Sequence, residues 1–128
     1  MKTLIIHPND RSTDFLKPIY AGIKNKTVLN KNVSENTLRQ EIQTHDQILM
    51  MGHGSPSGLF NVAQIGNGFL TINSSHVPLL KTKQCVFIWC NANKFVEAYN
   101  LRGLYTGMFI SEVAESSFCG VPSNQKTV

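Results

Sequence analysis

No apolar run in this 128-residue chain approaches the roughly 18 residues that a membrane-crossing helix needs. The opening MKTLIIHPND carries one lysine and a few apolar residues, but the run stops at His7-Pro8. That is too short for a secretory leader and suits a first strand, so a cytoplasmic location and no membrane partner are expected. The three cysteines, Cys85, Cys90 and Cys119, form no CxxC and pair with no histidine at ligand spacing, which argues against a zinc site. In a reducing compartment they would be free thiols. The formal charge of +4 is not gathered into a basic stripe. Lys24, Lys26 and Lys31 share one loop region, Lys81 and Lys83 another, and Arg39 and Arg102 stand apart. Without aromatic residues interleaved among them, nucleic acid is not an expected partner. The first strand is followed by HPNDRST where a nucleotide-binding domain would carry GxGxxG, which disfavours a flavodoxin-like or nucleotide-binding function. Repeats, low-complexity tracts and Gly/Ser or Pro-rich linkers are also missing, so residues 1–128 read as one domain with an irregular tail over 119–128. An apolar fraction of 41% against 16% charged residues excludes a disordered chain.

What is present is an alternation of short apolar runs and helical patterns. Residues 3–7 (TLIIH) read as a strand, and Phe15, Leu16, Ile19, Tyr20 and Ile23 then follow helical spacing, with Asp14 as a possible cap and Pro18 in the first turn. A short strand at 27–30 precedes a helix capped by Ser34, with Leu38 and Ile42 inward and Val33 as a staple. Residues 48–51 (ILMM) form a third strand. Runs at 59–62 and 69–72 flank Gly66-Asn67-Gly68, a hairpin whose turn needs positive φ. A short helix starts at Ser74 or Ser75 and runs through Leu79 and Leu80. Residues 85–90 (CVFIWC) are apolar on both faces, as in a central parallel strand. A helix carrying Phe95, Val96 and Tyr99 runs to Leu101, a fifth strand is expected at 106–110, and residues 112–118 follow it. The alternation predicts an α/β fold: a three-layer sandwich with a mostly parallel central sheet flanked by helices and right-handed crossovers. In such sheets, chemistry collects at the carboxyl ends of the strands.

Two reactive side chains fall at those ends. His53 follows the third strand between Gly52 and Gly54, and Cys90 closes the fourth. A thiol is a strong nucleophile as thiolate, and a neighbouring imidazole can take its proton and later protonate a leaving amine. The flanking glycines let the chain turn, and the Gly54 amide could join that of Cys90 as an oxyanion hole. By contrast, His7 reads as structural, and His45 and His76 read as surface residues.

The order ILMMGHG, then a hydrophobic strand ending in cysteine within VFIWCNAN, resembles the caspase-like cysteine peptidases: caspases, metacaspases, gingipains, separases and their bacterial relatives. The similarity covers roughly residues 4–110 and implies a caspase-like α/β sandwich hydrolysing peptide bonds of a peptide or protein substrate. It assigns Cys90 as nucleophile, His53 as proton carrier and Gly54 as oxyanion donor, with no metal or other cofactor in the chemical steps. It places substrate contacts around the loop after the first strand, the cysteine strand and the strand after it, so Asp10, Asn91 and Glu112 are candidate substrate-binding residues. Asp10 and Glu112 would favour a basic residue before the scissile bond, whereas Arg11 would favour an acidic one; Asp10 carries the greater weight. Trp89 stands where the family prefers a small residue, and the chain is short for an active member. A catalytically inactive interaction domain of the same fold is the alternative.

Overall fold

Strands that are apolar on both faces over most of their length must be covered on both sides, and two such strands lie at the centre of this protein. In the computed structural model, which describes residues 2–105, β1 (Thr3–Ile6) and β3 (Gln47–Met51) are buried almost throughout. They run parallel and adjacent, in the register Leu4↔Ile48 to Ile6↔Met50. β2 (Lys26–Leu29) pairs with β1 on the outer side. A second antiparallel sheet of three strands, β4 (Gly54–Ser55), β5 (Gly58–Phe60) and β6 (Leu70–Ile72), leaves the main sheet directly after His53. β7 (Gln84–Ile88) returns beside β3, and β8 (Leu104–Tyr105) pairs with β7. The main sheet is therefore parallel with order β2-β1-β3-β7-β8.

That order reverses direction at β1, and the helices divide accordingly. On one face α2 (Glu35–Thr44), α3 (Val77–Leu80) and α4 (Ala92–Ala98) contribute Leu38, Ile42, Val77, Leu80, Phe95 and Val96 to a core with Leu4, Ile6, Met50 and Phe87. On the other, a 3-10 turn (Arg11–Leu16) and α1 (Pro18–Ala21) bring Leu16 and Tyr20 onto Ile5, Leu49 and Met51. The layered α/β architecture expected from the alternation is present, and among the described residues no helix is long and apolar enough to cross a membrane.

Several local expectations change. The segment after β1 is not one helix. Pro18 has no N–H to donate and starts a separate single turn, which leaves Ile19 46% exposed. The 3-10 turn Arg11–Leu16 is capped by Asp10 rather than Asp14: the Asp10 carboxylate accepts from the Ser12 amide. Ser34 caps α2 as expected by accepting from Thr37, and Gly66 and Gly68 take positive φ in the hairpin turn. β7 stops at Ile88, so Trp89 and Cys90 lie just beyond the strand. Strand pairing at the far edge begins at Leu104, ahead of the expected 106–110. The expected strand at 106–110, the segment 112–118 with Glu112, Cys119 and the tail 119–128 lie outside the described residues.

His45 and His76, read as surface residues, are buried, and each has found a partner distant in sequence. His45 meets Thr27 Oγ1 through Nε2 at 3.1 Å and the Glu41 carbonyl oxygen through Nδ1 at 2.7 Å. His76 Nδ1 accepts from the Asn73 amide at 3.1 Å. The proton of the ring therefore sits on Nε2, which donates to Glu35 Oε2 at 2.9 Å. This joins α2 to the 3-10 turn Ser74–His76, and Glu35 also reaches Arg39 and the Asn67 amide of the hairpin. Burial lowers the pKa of His76 below the usual histidine value, against the opposing pull of Glu35. For Glu35, partial burial pushes upward, but its bonds to His76, Asn67 and Arg39 outweigh that and hold the carboxyl below its ordinary range.

The structural reading of His7 agrees with its position at the end of β1. Its Nδ1 meets the Tyr20 hydroxyl at 2.9 Å and its Nε2 meets Thr13 Oγ1 at 3.1 Å, and burial lowers its pKa. His7 and His76 are thus held neutral in the fold and must charge on unfolding in acid. Between their folded values and the unfolded value near 6.5, the unfolded chain binds more protons, so stability is lost as pH falls through that window. Thermal or urea unfolding from pH 7.5 to 5 should show a decline beginning near pH 6.5, at no more than about 1.4 kcal/mol per pH unit for each histidine. His76→Gln should flatten the curve; a flat wild-type curve over that range would show that these rings are not held neutral.

Candidate active site

The carboxyl ends of β1, β3 and β7 converge where the order of the sheet reverses, and each delivers part of one cluster. From β1 the chain passes His7-Pro8 and turns at Asp10, whose extended backbone and carboxylate cap the following 3-10 turn. Asp10 Oδ1 accepts from both the amide and the hydroxyl of Ser12, at 3.0 and 2.8 Å. These two Ser12 donors, with a smaller contribution from His53, hold the Asp10 carboxyl below its usual pKa. From β3 the chain reaches His53, whose Nε2 lies 2.6 Å from Ser12 Oγ and 3.5 Å from Asp10 Oδ2.

A hydroxyl has one proton. Because Ser12 donates it to Asp10, the short contact to His53 is an Nε2–H donating to Ser12 Oγ. The neutral imidazole then carries its lone pair on Nδ1, the tautomer needed to take a proton at that nitrogen. Ser12 and Asp10 together fix the tautomer and the plane of the ring. Ser12 was not among the sequence candidates. The available signal was Asp10-Arg11-Ser12, an aspartate two residues before a serine, which favours an Asx-type turn.

Cys90 reaches the same end of the sheet from β7. The last paired residues are Met51 and Ile88, and the Gly52 amide donates to the Ile88 carbonyl oxygen at 3.0 Å. His53 and Cys90 are each two residues past that pair, on strands about 4.8 Å apart. Cys90 is half-buried and unbridged, and it sits in a tight strand-to-helix connection. Asn91 takes the left-handed conformation, φ 63° and ψ 24°, which asparagine tolerates better than most residues. The Ala92 amide closes the turn on the Trp89 carbonyl oxygen at 3.1 Å, and α4 begins. Asn91 is thus the residue that forms the turn presenting Cys90. The other described cysteine, Cys85, is enclosed in the core, where burial pushes its thiol up to about 12.

Trp89 ties the two arms together. It is fully buried, packs edge-on against Phe87 and Phe95 with centroids 5.8 and 5.5 Å away, and donates its Nε1–H to the Ser55 carbonyl oxygen at 2.9 Å. Its ring lies directly on Gly54: a Cβ there would run into Trp89 Cδ1 and come within 2.7 Å of the Gly58 carbonyl oxygen. Gly54 is glycine for lack of room. The hairpin that follows His53 is thus seated on the residue that precedes Cys90.

The geometry also bears on Gly54 as an oxyanion donor. The Phe60 amide donates to the His53 carbonyl oxygen at 2.8 Å, so His53 turns its backbone groups toward β5. By the alternation of an antiparallel ladder, Gly54 turns its own amide away from β5. Among the described residues β4 is the edge strand of its sheet, and none of them forms a further strand on that side. Of the proposed substrate contacts, Asp10 is engaged within the cluster and Asn91 forms the turn. No group of three or more His, Cys, Asp or Glu side chains among the described residues is arranged to hold a metal ion. A cleft of about 470 Å³ lined by Lys81, Lys83, Gln84, Cys85 and Arg102 lies at the opposite end of the sheet and takes no part in this cluster.

Comparison with protein-family models, with curated proteins and with solved structures finds no match to this chain.

Proposed function

We propose that the chain is a cysteine peptidase of caspase-like type that hydrolyses peptide bonds through Cys90 and His53. The observation that carries this reading is that His53, oriented by Ser12 and Asp10, and Cys90 each lie two residues past the last paired residues of adjacent parallel strands. His53 Nδ1 takes the thiol proton as Cys90 Sγ bonds to the substrate carbonyl carbon. In this reading the amides of Gly54 and Cys90 stabilise the oxyanion. The C–N bond then breaks, the proton passes from His53 to the leaving amine, and a thioester remains. Water, deprotonated by the same imidazole, hydrolyses the thioester and returns the thiol. Ser12 accepts from Nε2–H throughout, and the Asp10 carboxylate stabilises the imidazolium through it.

A nucleotide-binding reading would use the same edge of a doubly wound sheet. Here the amide that opens the loop after β1 is already satisfied by the Asp10 carboxylate, which would also repel a phosphate. An inactive interaction domain would keep the architecture without turnover. The deciding experiment uses fluorogenic peptides with Arg, Lys or Asp before the scissile bond, because both Asp10 oxygens are engaged by Ser12 and His53. Wild type should cleave at least one series, and Cys90→Ala should reduce kcat/KM by at least about 10⁴-fold. Equal background turnover by both proteins would refute the peptidase reading and leave the interaction domain.

A further inference from the structure

Apolar side chains scattered over a surface need no explanation. Phe60 differs because of its position relative to His53. Strand β4 pairs with β5 in the register Gly54↔Leu59 and Ser55↔Gly58. The bond from the Phe60 amide to the His53 carbonyl oxygen extends that register by one residue, making Phe60 the direct cross-strand neighbour of His53. Opposed residues of an antiparallel ladder project to the same side, with Cβ atoms about 5 Å apart.

The alternation along the strands can be checked. The preceding pair faces inward: Leu59 is fully buried and a Cβ on Gly54 would enter the Trp89 ring. The pair His53 and Phe60 must face outward, and the His53 side chain is 37% exposed and Phe60 41%. On the far side of Phe60, the register places half-buried Leu70 of β6. An apolar surface thus begins directly beside the imidazole. The chemistry says which part of a substrate meets it. The imidazole that takes the thiol proton must deliver a proton to the leaving amine, so the chain on the amine side of the scissile bond leaves past His53.

We propose that Phe60, backed by Leu70, forms the subsite for the residue immediately after the scissile bond and selects an apolar side chain there. The proposal rests on the peptidase reading and names a feature of its substrates. It predicts that an apolar group on the leaving side buries against the Phe60 ring in the transition state, whereas a polar one leaves that ring exposed to water.

Internally quenched peptides that differ only at the first residue after the scissile bond, Leu or Phe against Ser or Asp, provide the test. Wild type should favour the apolar series in kcat/KM by about 10-fold or more. Phe60→Ser should bring that ratio to within about 2-fold, and Phe60→Leu should keep most of it. A ratio unchanged by Phe60→Ser would overturn the subsite while leaving the peptidase intact. The same peptides, labelled for fluorescence polarisation, are titrated onto Cys90→Ala and onto Cys90→Ala/Phe60→Ser. If wild type cleaves nothing, the peptidase reading fails separately. In that case, weaker binding of the apolar peptides to the double variant still supports a peptide surface at Phe60, and equal binding by both variants removes it.

Discussion

Trp89→Ala is expected to lower the unfolding free energy by about 3–5 kcal/mol, the usual cost of emptying a fully buried tryptophan site. It is also expected to abolish turnover in the fraction that still folds. The stability loss follows from the position of the ring among Phe87, Phe95 and Gly54, where its removal leaves a cavity in the main core. The loss of turnover has a different origin. The hairpin after His53 rests on this indole and is held by its bond to the Ser55 carbonyl oxygen. Without them, the tie between β4 and the Cys90 turn is loosened, and a displacement of the imidazole from the thiol by about 1 Å can cost 100-fold in rate. Trp89→Phe separates the two effects. It retains most of the packing and loses the hydrogen bond, for about 1–2 kcal/mol. Urea unfolding of both variants with peptide turnover at low denaturant checks this. An alanine variant with the wild-type midpoint would contradict the coupling.

The second large effect is at His53. His53→Ala should lower kcat/KM by about 10²–10⁴-fold, the range for loss of a general acid–base. Ser12→Ala should fall short of that, at roughly 10–100-fold, because the ring remains but its Nε2–H keeps only the longer approach to Asp10, 3.5 Å away. Ser12→Thr keeps the hydroxyl and should recover most of the loss. A purely structural serine would give the same deficit in thermal stability as in rate, whereas an orienting serine loses rate at a nearly constant melting temperature. Steady-state kinetics on the three variants, with melting curves, separate these outcomes.

The parts of this site that were legible in the sequence are those set by local pattern. Strand β3 leads to His53 between glycines, and β7 leads to Cys90, because four or five consecutive apolar residues followed by turn residues identify a strand and its end. The parallel sheet followed from alternation of such runs with helices. The illegible parts depend on contacts between distant residues. Ser12 and His53 are 41 residues apart, as are His76 and Glu35, and no periodicity connects them. His76 therefore looked like a surface residue. Strand β4 is two residues long, too short to show any alternation, although its ladder accounts for both Gly54 and Phe60. The cap after β1 was expected at Asp14, but the backbone gives that role to Asp10, whose carboxylate meets the Ser12 amide. Trp89 sits in a run apolar on both faces, but its hydrogen-bond partner Ser55, 34 residues away, was not legible from that run.

The central claim is that His53 acts on Cys90, and thiol chemistry tests it without a substrate. The rate at which iodoacetamide alkylates Cys90 at neutral pH, followed by peptide mass spectrometry, is compared between wild type and His53→Ala. Cys85, buried and with its thiol pushed up to about 12, serves as an internal control. The expected result is rapid labelling of Cys90 in wild type, at least about 10-fold slower labelling in His53→Ala, and an unreactive Cys85 in both. Equal Cys90 labelling rates in the two proteins would contradict the pairing of histidine and cysteine on which the account stands.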